Sequence, residues 1–173
     1  MSELNLVCLD FQECSLLPQI TSSLTDILDT QIKLVTMNFD LEPYANKERG
    51  QYDAAQILTK FEQIHTDGKS ILITSVDLYI PIFTFVFGLA KLKGDAAIVS
   101  AYRLKNEFYG LPGDEEILKE RLIKEIIHEL GHLLNLRHCS NFQCVMASSN
   151  TADDLDVKGV HYCSTCLDRI ETE

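Results

Sequence analysis

What this sequence has little of is positive charge. Fifteen lysines and arginines stand against 26 aspartates and glutamates, for a net charge of −11 and a pI near 4.8. Phosphate backbones are bound by basic faces, so no nucleic-acid partner is expected. The acidity itself reads as solubility. A long apolar run is missing too. The most hydrophobic stretch, Leu78 to Ala90, is interrupted by Pro81 and Gly88. It falls short of the ~20 residues that cross a bilayer, so no membrane partner is expected. The start of the chain, Met1 to Asp10, carries early acids and no basic stretch before its apolar residues, unlike a secretory leader. Repeats and low-complexity tracts are also lacking. These absences predict a cytoplasmic protein, and a monomer is expected.

What is present is enough apolar residue for a core. The chain has 173 residues, 46% of them hydrophobic, which suits one domain spanning 1–173 without covalent staples. Patterning predicts strands over Leu4–Leu9, Gln31–Phe39, Lys69–Val76, Phe83–Phe87 and Ala96–Leu104. Helical spacing appears over Leu16–Leu28, with Pro18 in the first turn, and over Tyr52–Ile64. The segment Glu42–Gly50 reads as a loop. A long helix is predicted from Asp114 to Asn135, with Asp114, Glu115 and Glu116 at its positive end. A short helix is expected from Cys163 to Ile170. The order predicts an α/β (α+β) fold, a mixed twisted sheet with helices packed on it. Residues 1–113 form the sheet and its backing helices, 114–135 the site helix, and 136–173 a metal-rich tail.

The long helix carries His128-Glu129-Leu130-Gly131-His132, an HExxH pattern. Residues four apart share one helix face, so both imidazoles can reach one metal ion. Zinc hydrolases use three protein ligands and keep a position open for water. His138 supplies the third, in the spacing HExxHxxNxxH. The chain must turn sharply to return His138 to the metal. Glycine usually makes such a turn, and Asn135, the next best residue for positive φ, stands here instead. Glu129 cannot easily coordinate the same ion. It can hold the water, take its proton and pass it to a leaving amine.

Six cysteines are present, four of them, Cys139, Cys144, Cys163 and Cys166, near the C-terminus. Two such pairs in a cytosolic chain match a structural zinc with four thiolate ligands, pinning the tail beneath the helix. A redox CxxC at Cys163–Cys166 is the competing reading. Cys8 and Cys14 read as small buried hydrophobes, and His65 and His161 as ordinary histidines. Tyr162 and Tyr109 are weak candidates for stabilising an oxyanion.

These motifs resemble the archaemetzincins. The chain reads HELGHLLNLRHC from His128 to Cys139, then Cys144-Val145-Met146, then Cys163 to Cys166. The resemblance implies a compact metzincin-like zinc peptidase acting on peptide or protein substrates. It implies two zinc ions, one catalytic and one structural, and makes Met146 the residue of a Met-turn under the three histidines. By analogy with metzincins an edge strand within Phe85–Lys91 would receive the substrate backbone. The alternative is a zinc-stabilised peptide-binding protein with little turnover.

Overall fold

Strands that are buried on both faces distribute their side chains to two cores, and this chain builds both. The computed structural model describes residues 3–64 and 68–171; His65 lies outside them. Along the chain come β1 (Glu3–Cys8), α1 (Leu17–Leu28), β2 (Gln31–Thr36), β3 (Ala45–Asn46), β4 (Gln51–Asp53) and α2 (Ala54–Ile64). Then follow β5 (Ser70–Thr74), β6 (Leu78–Tyr79), β7 (Gly88–Ala90), β8 (Ala96–Ser100), α3 (Glu115–Leu133), α4 (Ala152–Val157) and α5 (Ser164–Glu171). The main sheet has the order β2-β1-β5-β8-β7. Its first four strands are parallel, and β7 runs antiparallel to β8 at the edge. A small second sheet has the order β3-β4-β6. The fold is therefore mixed α/β.

Leu4 and Leu6, Ile71 and Ile73, and Ala97 and Val99 point to one face, where α1 and α3 pack. Val7, Leu72 and Ile98 point to the other, against Ile57, Leu58 and Phe61 of α2. The period of two in each strand decides which core a residue joins.

α3 is the element that carries the site. Asp114 caps it, its carboxylate accepting from the N–H groups of Glu116 and Ile117 at 3.0 Å each. Ile123, Ile126, Ile127 and Leu130 bury it against the sheet. Its opposite side is covered as well, by α4. Arg121 pairs with both carboxylate oxygens of Asp156 at 2.7 Å, and Lys124 donates to the carbonyls of Leu155 and Asp156. Those lysine bonds satisfy carbonyls left open at the end of α4.

Several expected bounds shift. The aromatic run Phe83–Phe87 is not a strand; it turns, with Val86 bridging Leu78, and the edge strand begins at Gly88. Arg49 takes the carbonyls of Phe83 and Thr84 at 3.1 and 2.8 Å, which a ladder would otherwise use. β8 stops at Ser100, where a 3₁₀ turn begins two residues later, and β2 stops at Thr36. The stretch Glu42–Gly50 holds a 3₁₀ turn and β3, and Tyr52 lies in β4 rather than in a helix. α4 was not foreseen; Thr151 and Asp154 cap it reciprocally.

Candidate active site

α3 ends in the turn that the histidine spacing requires. Asn135 has φ +66°, the left-handed conformation. Leu136 N–H donates to Gly131 O at 2.8 Å and Asn135 N–H to His132 O at 3.0 Å, closing a Schellman motif. The chain then doubles back and brings His138 beside the other two histidines. Ring centroids of His128, His132 and His138 lie 4.8, 5.3 and 5.1 Å apart, pair by pair. One ligand atom from each falls within 4.8 Å of the others, an arrangement able to hold a metal ion.

The ring orientations fit a metal as well. His128 Nδ1 is 2.8 Å from Val145 O, and His132 Nδ1 is 2.8 Å from Leu136 O. An Nδ1–H donating to a carbonyl leaves Nε2 unprotonated and aimed at the metal position. Burial holds the His128 imidazole neutral, pushing its pKa down to about 3, with Lys158 adding to the effect. Neutral imidazole is the form that binds a metal.

Beneath the helix lies Met146. A Cβ on Gly131 would collide with its sulfur and lie 3.0 Å from the Tyr162 ring. Only a residue without a side chain lets α3 settle on this floor. Tyr162 belongs to the floor and not to the site: its hydroxyl donates to Ile127 O at 2.7 Å. Tyr109 is half-exposed and donates to Arg103 O at 2.9 Å. Neither tyrosine lines the cleft, so the sequence-based assignment of an oxyanion role to them is corrected.

The cleft above the histidines has a volume of about 450 Å³. β7 and the aromatic turn before it form one wall; His128, His132, His138 and Glu129 lie at its base. Glu129 is 4% exposed, and a Cβ on Gly88 would sit 2.6 Å from its Oε1. Burial and the neighbouring Glu125 hold the Glu129 carboxyl well above the usual carboxylate range. Three residues that sequence reading passed over belong to this surrounding: Glu125, Gly88 and Lys158. Glu125 had a signal, being four residues before Glu129 on the same helix face. Lys158 had none, because α4 and the loop after it deliver it from far along the chain.

The four C-terminal cysteines converge with the same clarity. Cys139 and Cys163 sulfurs are 3.7 Å apart, and those of Cys144 and Cys166 are 3.8 Å apart. A tetrahedron with ~2.3 Å zinc–sulfur bonds has edges of about 3.8 Å. Backbone N–H groups of Asn141 and Cys163 point at the sulfurs of Cys139 and Cys144, at 3.5 and 3.3 Å. At Cys144 burial outweighs the Cys163 N–H and raises the thiol. The Cys163 thiol is lowered to about 7, chiefly by the N–H of Cys166. Far from these, Cys8 is half-buried. Cys14 is exposed and donates to Phe11 O, so its expected burial is corrected. His161 is exposed, as expected of an ordinary histidine.

Comparison with known proteins agrees with the site. The model of peptidase family M54 matches residues 16–172. The archaemetzincin of Pyrococcus horikoshii is 46% identical over 127 residues, 72% of this chain and 68% of its own. That of Saccharolobus solfataricus is 35% identical over 169 residues, 96% of this chain and 91% of its own. Among solved structures, a zinc-dependent peptidase from Methanocorpusculum labreanum superposes with a TM-score of 0.88 at 33% identity, covering 96% of this chain and 99% of that one. The archaemetzincin of Archaeoglobus fulgidus gives 0.83 at 31%, over 96% and 99% of the two chains. A match over nearly the whole length, with a histidine triad and a four-cysteine cluster assembled in the fold, places the chain in peptidase family M54, with the archaemetzincins, as a zinc metallopeptidase.

Proposed function

We propose that His128, His132 and His138 hold the catalytic zinc, that Glu129 is the general base and then the general acid of peptide hydrolysis, and that Cys139, Cys144, Cys163 and Cys166 hold a second, structural zinc. The observation that carries this reading is the convergence of three imidazoles, two with their Nδ1 atoms tied to backbone carbonyls, at the base of a cleft that also contains Glu129. A zinc ion held by the three histidines would polarise the scissile carbonyl and acidify a bound water, and its charge would favour the carboxylate form of Glu129. Glu129 then accepts the proton from the attacking water and returns it to the departing amine nitrogen. Its enclosure keeps bulk water away from the proton in transit.

The substrate lies along β7. Ser100 N–H donates to Phe87 O at 2.8 Å, and Leu89 pairs with Ile98. Hydrogen-bonded pairs alternate in an antiparallel ladder, so the Leu89 amide faces β8 while the Gly88 and Ala90 amides face outward. An extended peptide adds to that open edge as a further strand, with backbone bonds that require no particular sequence. A zinc held by Cys139, Cys144, Cys163 and Cys166 would have every position filled by thiolate, which suits a structural role. Cys139 N–H donates to Met146 O at 2.9 Å, so this cluster fixes both the residue after His138 and the floor under α3.

The test is digestion of a diverse peptide library by zinc-loaded protein, beside a zinc-loaded Glu129→Gln control. Cleavage by the wild type that vanishes in the control is the expected result. Equal cleavage by both proteins would remove Glu129 from the chemistry.

A further inference from the structure

One wall of the cleft is a turn, and side chains from elsewhere hold it. Residues 81–85 lie between β6 and β7 and outside both sheets. They bring Phe83 and Phe85 into the lining of the cleft, and Phe83 is 57% exposed. Arg49 lies on the surface between β3 and β4, and its Nη2 donates to the carbonyls of Phe83 and Thr84. Its Nε donates to Gln51 Oε1 at 2.8 Å. The amide of Gln51, a buried residue, donates in turn to Thr84 O at 3.1 Å and to Asp77 Oδ2 at 3.0 Å. Asp77 accepts from Nε and Nη2 of Arg103 at 2.7 and 2.8 Å. The Arg103 guanidinium lies over the rings of Phe85 and Phe108, 4.4 and 4.7 Å from their centroids. This chain of contacts leaves the turn at Thr84 and returns to it at Phe85.

We infer that Arg49 is a positioning residue that sets the selectivity of the cleft: with Gln51, Asp77 and Arg103 it holds Phe83 and Phe85 as a preformed wall against one apolar side chain of the peptide. This rests on the reading of the cleft as a peptide site. Backbone bonds along β7 are indifferent to sequence, so selectivity has to come from side-chain packing. The aromatic turn is the apolar surface next to that edge. A surface turn outside a ladder samples many conformations, and ordering it on binding subtracts from affinity. Here the ordering is done in advance. Both N–H groups and the oxygen of the Gln51 amide are engaged, so the amide has one orientation. The planar Arg49 guanidinium reaches the turn and Gln51 together, a geometry that lysine does not copy. The Arg103 cation, fixed on two oxygens of Asp77, holds the face of the Phe85 ring.

Affinity on a background that does not cleave tests this apart from turnover. Zinc-loaded Glu129→Gln, alone and combined with Arg49→Ala, Arg49→Lys or Phe85→Ala, is titrated by calorimetry with capped alanine peptides. Each peptide carries one phenylalanine, moved a position at a time, and the all-alanine parent is the reference. Hydrogen exchange of the Phe83 and Val86 amides, which donate to Ile80 O and Leu78 O, is followed in each protein without peptide. With Arg49 present, one placement of phenylalanine is expected to bind about tenfold tighter than the parent, as for an apolar side chain in a fitted pocket. Phe85→Ala loses that gain, which locates it on the wall. Arg49→Ala loses most of it, binds the parent peptide as before and exchanges both amides faster, with zinc content and thermal midpoint kept. Arg49→Lys falls between. An intact phenylalanine gain or unchanged amide exchange in Arg49→Ala overturns the inference. Equal weakening toward every peptide, or loss that follows zinc content or midpoint, makes Arg49 structural and overturns it also. So does a gain that is missing with Arg49 present or that survives Phe85→Ala, because the wall then selects nothing. The peptidase reading fails separately, if the gain is found but zinc-loaded wild type cleaves no peptide.

Discussion

A methyl group on Gly88 would lie 2.6 Å from Oε1 and 2.8 Å from Cγ of Glu129. The backbone there has no positive φ to satisfy, so what glycine supplies is room. Gly88→Ala is expected to push the Glu129 carboxyl from its place. Peptide turnover should fall by at least about tenfold while the fold loses only ~1–3 kcal/mol to overpacking. Turnover compared at equal zinc content, with urea midpoints alongside, checks this; full activity would mean that Glu129 tolerates displacement. His128 offers a second prediction at this scale. Its folded pKa, about 3, lies below the ordinary 6.5. Between those values the unfolded chain binds a proton that the native state refuses. Stability from this group is complete above pH 6.5 and is lost as pH falls toward 3. In metal-free protein, the urea-derived stability should drop by up to about 1.4 kcal/mol per pH unit more in wild type than in His128→Gln. Equal slopes in the two proteins would place the titration elsewhere.

At the scale of elements, β7 is where the substrate reading is exposed to test. Because the Leu89 amide pairs with β8 and the Ala90 amide points away from it, proline discriminates between them. Ala90→Pro removes one outward donor and leaves the β7–β8 ladder whole, as edge strands permit. The loss expected is one net backbone hydrogen bond, ~0.5–1.5 kcal/mol, or about three- to tenfold in kcat/KM. The thermal midpoint should hardly move. A variant with unchanged kcat/KM would take the substrate off this edge. The position of β7 was only half legible in the sequence. Aromatic and branched residues mark Phe83–Phe87 as strand-like, yet propensity reports fit to a pleated surface and not which backbone finds a ladder. Here Arg49, Gln51 and the aromatic pair Phe85–Phe87 occupy that run in a turn. α3 was legible almost to the residue, because its cap at Asp114, its apolar stripe and its left-handed stop at Asn135 are all local. The histidines follow from that helix: spacing of four on one face is geometry the chain enforces by itself. Lys158 and Gly88 were not legible, since their closeness to Glu129 arises only when separate elements dock.

For the molecule as a whole, the two clusters able to hold a metal differ in what they hold together. The histidine triad spans residues of one helix and the turn directly after it, and its shape is kept by hydrogen bonds to Val145 and Leu136. The cysteine cluster joins Cys139 and Cys144 to Cys163 and Cys166, across the loop that contains α4. Four thiols this close, two of them buried, gain their favourable energy from a cation, and without one they leave a polar knot beneath the fold. The two sites should therefore separate under chelation and mutation. Wild type is expected to bind two zinc ions per chain, and His132→Ala one, with a small change in thermal midpoint. Cys144→Ser is also expected to lose one zinc, but with a fall in midpoint of many degrees and increased proteolysis after residue 136, because that stretch would lose the link between Cys139–Cys144 and Cys163–Cys166. Structural zinc in small motifs contributes ~10 kcal/mol or more of apparent binding energy, which is of the same order as the whole stability of a typical domain, about 5–15 kcal/mol. Metal analysis by mass spectrometry, joined to limited proteolysis of both variants, makes the measurement. If Cys144→Ser kept two zinc ions and the wild-type midpoint, the cysteine cluster would not be a metal site, and the anchoring of His138 would have to come from packing alone.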